Sequence, residues 1–216
     1  MNEYHLLLKK ILLCTEIMAA IIAILKFKKF KNSYWKWFIY YLVFIAISES
    51  LYKFVLSNHQ IFKDYYYAFF VIPLEFIFIF WLYSYKSLNN KKLFWISIGL
   101  FLASLIPYFI FDEKKTDVKS LNYIVGAFLI SIMIILEYKK QMKSDDILKF
   151  RENMMFYVNA AVGIFYVGTL PFYAFNGLLW NDKEIFYNYF TLFLLTNISM
   201  YILFSIALLW GKPNTY

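Results

Sequence analysis

Residues 187–210 read YNYFTLFLLTNISMYILFSIALLW, a run without a single charged side chain. At about 1.5 Å of rise per residue, a helix of this length is sufficient to cross the roughly 30 Å hydrocarbon core of a bilayer. Its polar residues, Thr191, Thr196, Asn197, Ser199 and Ser205, read as side chains that hydrogen-bond between neighbouring helices. The triplet Asn197, Ile198, Ser199 has the form of a glycosylation acceptor, but its depth within the span argues against modification.

Working outward, six further apolar spans emerge at 4–25, 35–56, 65–85, 93–111, 121–138 and 154–176. The expected fold is an all-α integral membrane protein, a seven-transmembrane helix bundle forming one domain over residues 1–216. Composition agrees: 62% of the 216 residues are hydrophobic and 17% charged, far too apolar for an ordinary soluble domain. Connections between spans are short, so consecutive helices are expected to pack as antiparallel neighbours with no room for a soluble catalytic module.

The net charge of +8 invites comparison with nucleic-acid binders, but the Lys and Arg residues lie mostly between apolar spans. Of these 22 residues, 14 fall in the connections 26–36, 86–92 and 139–151 and in the tail, leaving 8 on the opposite side. The positive-inside rule makes the richer side cytoplasmic, with the N-terminus outside and the C-terminus inside. Five of the six Trp residues (Trp35, Trp37, Trp81, Trp95 and Trp210) fall at that same boundary, while Trp180 marks the other, and the Tyr65, Tyr66, Tyr67 run reads as an outer interfacial belt. The expected location is the bacterial cytoplasmic (inner) membrane, with lipids as partners and nucleic acid excluded. Because Lys26, Lys28, Lys29 and Lys31 follow the first span at once, that span is expected to be an uncleaved helix and not a signal peptide.

The lone Cys14 forms no disulfide framework, and His5 and His59 are not spaced to share a metal, so neither metal nor cofactor is expected. The chain contains no His-Glu-x-x-His, no Gly-x-Ser-x-Gly and no phosphate-binding glycine loop. Catalysis is not the expected role.

Chemistry is expected where acids enter the apolar spans: Glu16, Glu49 and Glu75. A charge facing hydrocarbon costs on the order of 2.5–3.5 kcal/mol, so each acid should face the bundle interior or find a partner. Lys53 follows Glu49 by one helical turn, a spacing that suits an ion pair. Pro73, Pro107 and Pro171 are expected to kink their helices, and all three fall in the predicted outer half. Together these features predict an outward-facing pocket for a small molecule or ion, formed by Glu16, Glu49, Lys53, Glu75, Thr169 and Asn197.

The topology resembles that of the rhodopsins and other seven-helix receptors, which also place the N-terminus outside. That resemblance covers the whole chain and includes no motif. Retinal proteins carry a lysine in the last helix, whereas 187–210 contains none, so a retinal Schiff base is excluded. Three functions are compatible with the pattern: a receptor-like or regulatory module signalling through a separate cytoplasmic protein, a transporter or channel for protons, cations or small metabolites, and a structural assembly subunit.

Overall fold

The computed structural model describes residues 3–54, 66–110, 115–144, 150–175, 179 and 182–212, and within these the chain is helical almost throughout. In order these are α1 (Glu3–Leu25), the single turn α2 (Phe27–Phe30), α3 (Lys36–Phe54), α4 (Tyr67–Ser87), α5 (Lys91–Ala103), the short α6 (Ile106–Ile110), α7 (Lys115–Lys143), α8 (Met154–Ala174) and α9 (Lys183–Trp210). Each expected apolar span falls on a helix, α5 and α6 sharing one. The outer ends expected at 56, 65, 111 and 176, together with Trp180, lie outside the described residues.

Among the described residues, four stretches are long and apolar enough to cross a membrane: α4, Leu121–Lys143 within α7, α8 and α9. The other three depart from that pattern for visible reasons. Lys9, Lys10 and Glu16 interrupt α1, Glu49 and Lys53 interrupt α3, and the fourth rod breaks between α5 and α6 at Ser104 and Leu105. The long connection after the fifth span begins as a continuation of α7, which runs on to Lys143.

Apolar side chains cover both faces of these helices. On α1 the buried face carries Leu8, Ala19, Ala20 and Ala23, while Leu7, Ile11, Met18, Ile21 and Leu25 form an exposed stripe at helical spacing. Exposed Phe128, Ile132 and Ile135 do the same on α7. No water-soluble bundle leaves such stripes uncovered, and lipid is the solvent that suits them.

Around the bundle, α1 packs between α3 and α9, α9 against α8, α8 against α7, and α7 against α4 and α5. The ring closes where Phe78 of α4 stacks on Tyr41 of α3 at 4.4 Å. At its centre, the fully buried Phe76 ring meets Phe101, Tyr123 and Tyr166, with centroids 4.9, 5.5 and 5.2 Å away. Gly126 of α7 makes this possible, because a Cβ there would sit 2.7 Å from Phe76 Cδ1, inside any real contact distance.

Pro73, Pro107 and Pro171 each adjoin an irregular turn. Pro73 follows the π-helical turn Tyr67–Val71, Pro107 follows the break at Ser104, and Pro171 follows the π-helical turn Gly163–Val167. A proline supplies no amide hydrogen to the carbonyl one turn back, and a locally widened or broken turn accommodates that loss. A further π-helical turn, Trp81–Ser87, has no proline and closes on the Asn89 residue, whose φ of 52° is the left-handed conformation Asn tolerates.

The basic connections gather at one end of the bundle. Lys29 Nζ donates to the Gly211 carbonyl at 2.6 Å, Lys212 pairs with Glu152 at 2.8 Å, and Tyr138 meets Phe156 across α7 and α8. Lys140 Nζ in turn donates to the Ser87 carbonyl at 2.8 Å. Among the Trp residues expected at this boundary, Trp37, Trp95 and Trp210 are exposed, but Trp35 is fully buried, stacked on Tyr34 and edge-on to Phe38. It is part of the core and not of an interfacial belt.

Candidate functional site

At the end opposite the basic connections, α1, α3 and α9 part around a cavity of about 350 Å³, with Tyr67 of α4 completing its wall. From the sequence-predicted set, Glu16, Glu49, Lys53 and Asn197 line it. Lys9, Tyr52, Phe190 and Phe193 join them, with Leu12, Leu13 and Leu194 supplying aliphatic wall.

Helical spacing explains why these residues meet. Leu12, Leu13 and Glu16 sit at i, i+1 and i+4 of α1, Glu49, Tyr52 and Lys53 at i, i+3 and i+4 of α3, and Phe190, Phe193, Leu194 and Asn197 at i, i+3, i+4 and i+7 of α9. Each set marks one helix face. Towards the basic end the same helices close into core, with Ala19 and Ala23 allowing close approach and Leu42, Ile45, Tyr201 and Phe204 filling the space.

Glu49 Oε1 accepts a 2.6 Å hydrogen bond from Tyr67 Oη, a charge-assisted geometry. Tyr67, read from sequence as part of an interfacial belt, is therefore turned into the bundle. Glu16 is 4% exposed, and no hydrogen bond or ion pair satisfies it among the described residues, although Glu49, Glu75 and Lys53 all act on it electrostatically. Asn197 Oδ1, on the facing helix, is likewise buried without a hydrogen-bond partner among the described residues. Nearer the mouth, Lys9 Nζ lies 5.2 Å from the Phe190 ring centroid.

Two members of the predicted set fall elsewhere. Thr169 is fully buried between α7 and α8, donating to Phe165 O at 2.7 Å and bonding Tyr123 Oη at 2.8 Å. Its hydroxyl is taken up in tying helices together. Glu75 is absent from the cavity wall and lies deeper, half-buried, within electrostatic range of Tyr41, Tyr123, Tyr166, Tyr173 and Tyr201.

Sequence reasoning missed these tyrosines, four of them buried and Tyr173 partly so, which an abundance of aromatic residues makes indistinguishable from lipid-facing ones. It also missed a polar hub at the basic end. Glu137, 1% exposed, accepts from Ser87 Oγ at 2.6 Å and from Gln141 Nε2 at 3.0 Å, joining α4 to α7. The signal available was the Glu137 and Gln141 pair one turn apart. His5 was missed as well: buried at the opposite end, it bonds Thr191 Oγ1 at 3.0 Å and fixes α1 to α9 beside the cavity.

The basic end carries its own clasp. Gly211 lies against Met154, where a Cβ would be 2.8 Å from Met154 Cβ, and Lys212 N donates to Glu152 O at 2.7 Å. Lys29, which reaches this clasp, has its ammonium held below the usual lysine range by partial desolvation and then by the charges of Lys26 and Lys212.

No protein-family model, curated protein or solved structure matches the chain. Fold and site together define a multi-span α-helical membrane protein. Its function has to be argued from the cavity.

Proposed function

We propose that the protein is a receptor-like or regulatory seven-helix membrane module, with the cavity opening outside the cytoplasm and the basic end facing a cytoplasmic partner. The placement of basic residues at one end supports that orientation, in the bacterial cytoplasmic membrane. One observation carries the reading: α9 lines the cavity through Phe190, Phe193, Leu194 and Asn197, and its other end forms the Gly211–Lys212 clasp with Lys29 and Glu152. A helix of 28 residues, about 42 Å long, thus connects a ligand-sized cavity to the surface a partner would read. A ligand that draws α1, α3 and α9 together shifts the clasp through its different fit to two helix arrangements.

Hydrogen exchange tests this directly. Filling the cavity by Leu13→Trp should change amide protection both around residue 197 and at residues 150–153 and 207–212. A change confined to the cavity lining would reject the coupling.

Proton or cation transport is the second reading, favoured by the continuation of acidic and tyrosine side chains from Glu16 down to Glu75. Proton flux into reconstituted vesicles, abolished by Glu75→Gln with folding retained, would replace the receptor reading with it.

A further inference from the structure

The cavity has a charge order along the bundle axis. On α1, Lys9 lies seven residues beyond Glu16 towards the open end, and on α3, Lys53 lies four beyond Glu49, roughly 10 and 6 Å respectively. Acids therefore form the floor and amines the rim. The floor also holds one unmet buried acceptor, Asn197 Oδ1, which is costly without a donor, and beside it the Glu16 side chain lines the cavity with no hydrogen bond from the described residues. Between floor and rim the walls are mostly apolar, formed by Phe190, Phe193, Leu12 and Leu13 together with Tyr52 and Tyr67. A volume of about 350 Å³ suits one small molecule.

We infer that this cavity binds an amine-bearing zwitterion, its ammonium group directed to Glu16 and Asn197 and its anionic group to Lys53 and Lys9. The inference rests on the proposed reading of the cavity as a ligand site and adds the ligand's chemistry. A plain cation would satisfy the floor but meet two lysines at the rim, and a plain anion would meet Glu16 and Glu49 below it. A soluble amino acid or phosphoethanolamine has this chemistry, and so does the headgroup of phosphatidylethanolamine.

The full chain in phosphatidylglycerol nanodiscs is titrated calorimetrically with phosphoethanolamine, ethanolamine and glycerol phosphate. Phosphoethanolamine should bind at least tenfold more tightly than either half-molecule, and Glu16→Gln and Lys53→Gln should each weaken it at least tenfold. Asn197→Leu serves as a second floor variant if Glu16→Gln does not fold. In discs containing phosphatidylethanolamine, retention of that lipid by the wild type and its loss from the floor variant, read by native mass spectrometry, would support the same chemistry with a lipid as source. Ethanolamine binding as tightly as phosphoethanolamine overturns the zwitterion and leaves the ligand site standing. Absence of binding by every probe and of lipid retention also overturns it. In that case, reaction of Leu13→Cys, on a Cys14→Ala background, with a small impermeant thiol reagent preserves the cavity reading, and a lack of reaction removes both.

Discussion

Tyr67 and Glu49 share a short hydrogen bond at the cavity wall, and its worth is measurable. Tyr67→Phe and Glu49→Gln should each lower unfolding stability in detergent by about 1–3 kcal/mol, with the double variant costing about 1 kcal/mol less than the sum. Strict additivity in that cycle would mean the bond contributes nothing. Gly126 makes a second residue-scale case, because the fully buried Phe76 ring occupies the space a Cβ would need. Gly126→Ala should cost about 1–3 kcal/mol through overpacking, and Phe76→Leu in the same chain should recover part of it. A Gly126→Ala protein with unchanged thermal stability would show that the ring moves aside freely. Neither contact was legible in the sequence. Glycine and phenylalanine fifty positions apart carry no mutual signal, and Tyr67 sat in a run of three tyrosines where side-chain direction depends on a π-helical turn.

Helices were far more legible than contacts, because hydrocarbon thickness and backbone hydrogen bonding constrain span length without reference to packing. The apolar runs at 121–138 and 187–210 each fall on a helix, as does the one expected at 154–176 over its described residues up to Ala174, and Pro73, Pro107 and Pro171 each adjoin an irregular turn. Acids within apolar runs were legible for a related reason, since Glu16 and Glu49 have no inexpensive place except an interior wall. Thr169 was not, because a hydroxyl can be satisfied by its own helix and by one tyrosine. Glu137 was overlooked near a span end, where an acid looks solvated, although it joins α4 to α7 through Ser87 and Gln141. Glu137→Ala should lower stability by about 2–3 kcal/mol by removing the acceptor of the buried Gln141 amide and the half-buried Ser87 hydroxyl, whereas Glu137→Gln should cost less. Equal losses in the two variants, read from thermal unfolding, would show that charge and not hydrogen bonding matters at this hub.

The whole molecule carries a polar cavity at one end and a basic, clasped surface at the other. The sequence made the basic side legible through Lys and Arg counts, and the bonds Lys29 to Gly211, Lys212 to Glu152 and Lys140 to Ser87 place those segments together. Which end faces the cytoplasm is a prediction. In intact cells, on a Cys14→Ala background, Thr116→Cys should react with an impermeant thiol reagent and Ser33→Cys should not. The central claim, that the cavity opens outside while its floor is closed, is tested most directly by Leu13→Cys on the same background, labelled from each side in turn. The account predicts reaction from outside in intact cells and protection from the cytoplasmic face in inverted vesicles. Reaction only in inverted vesicles would contradict it.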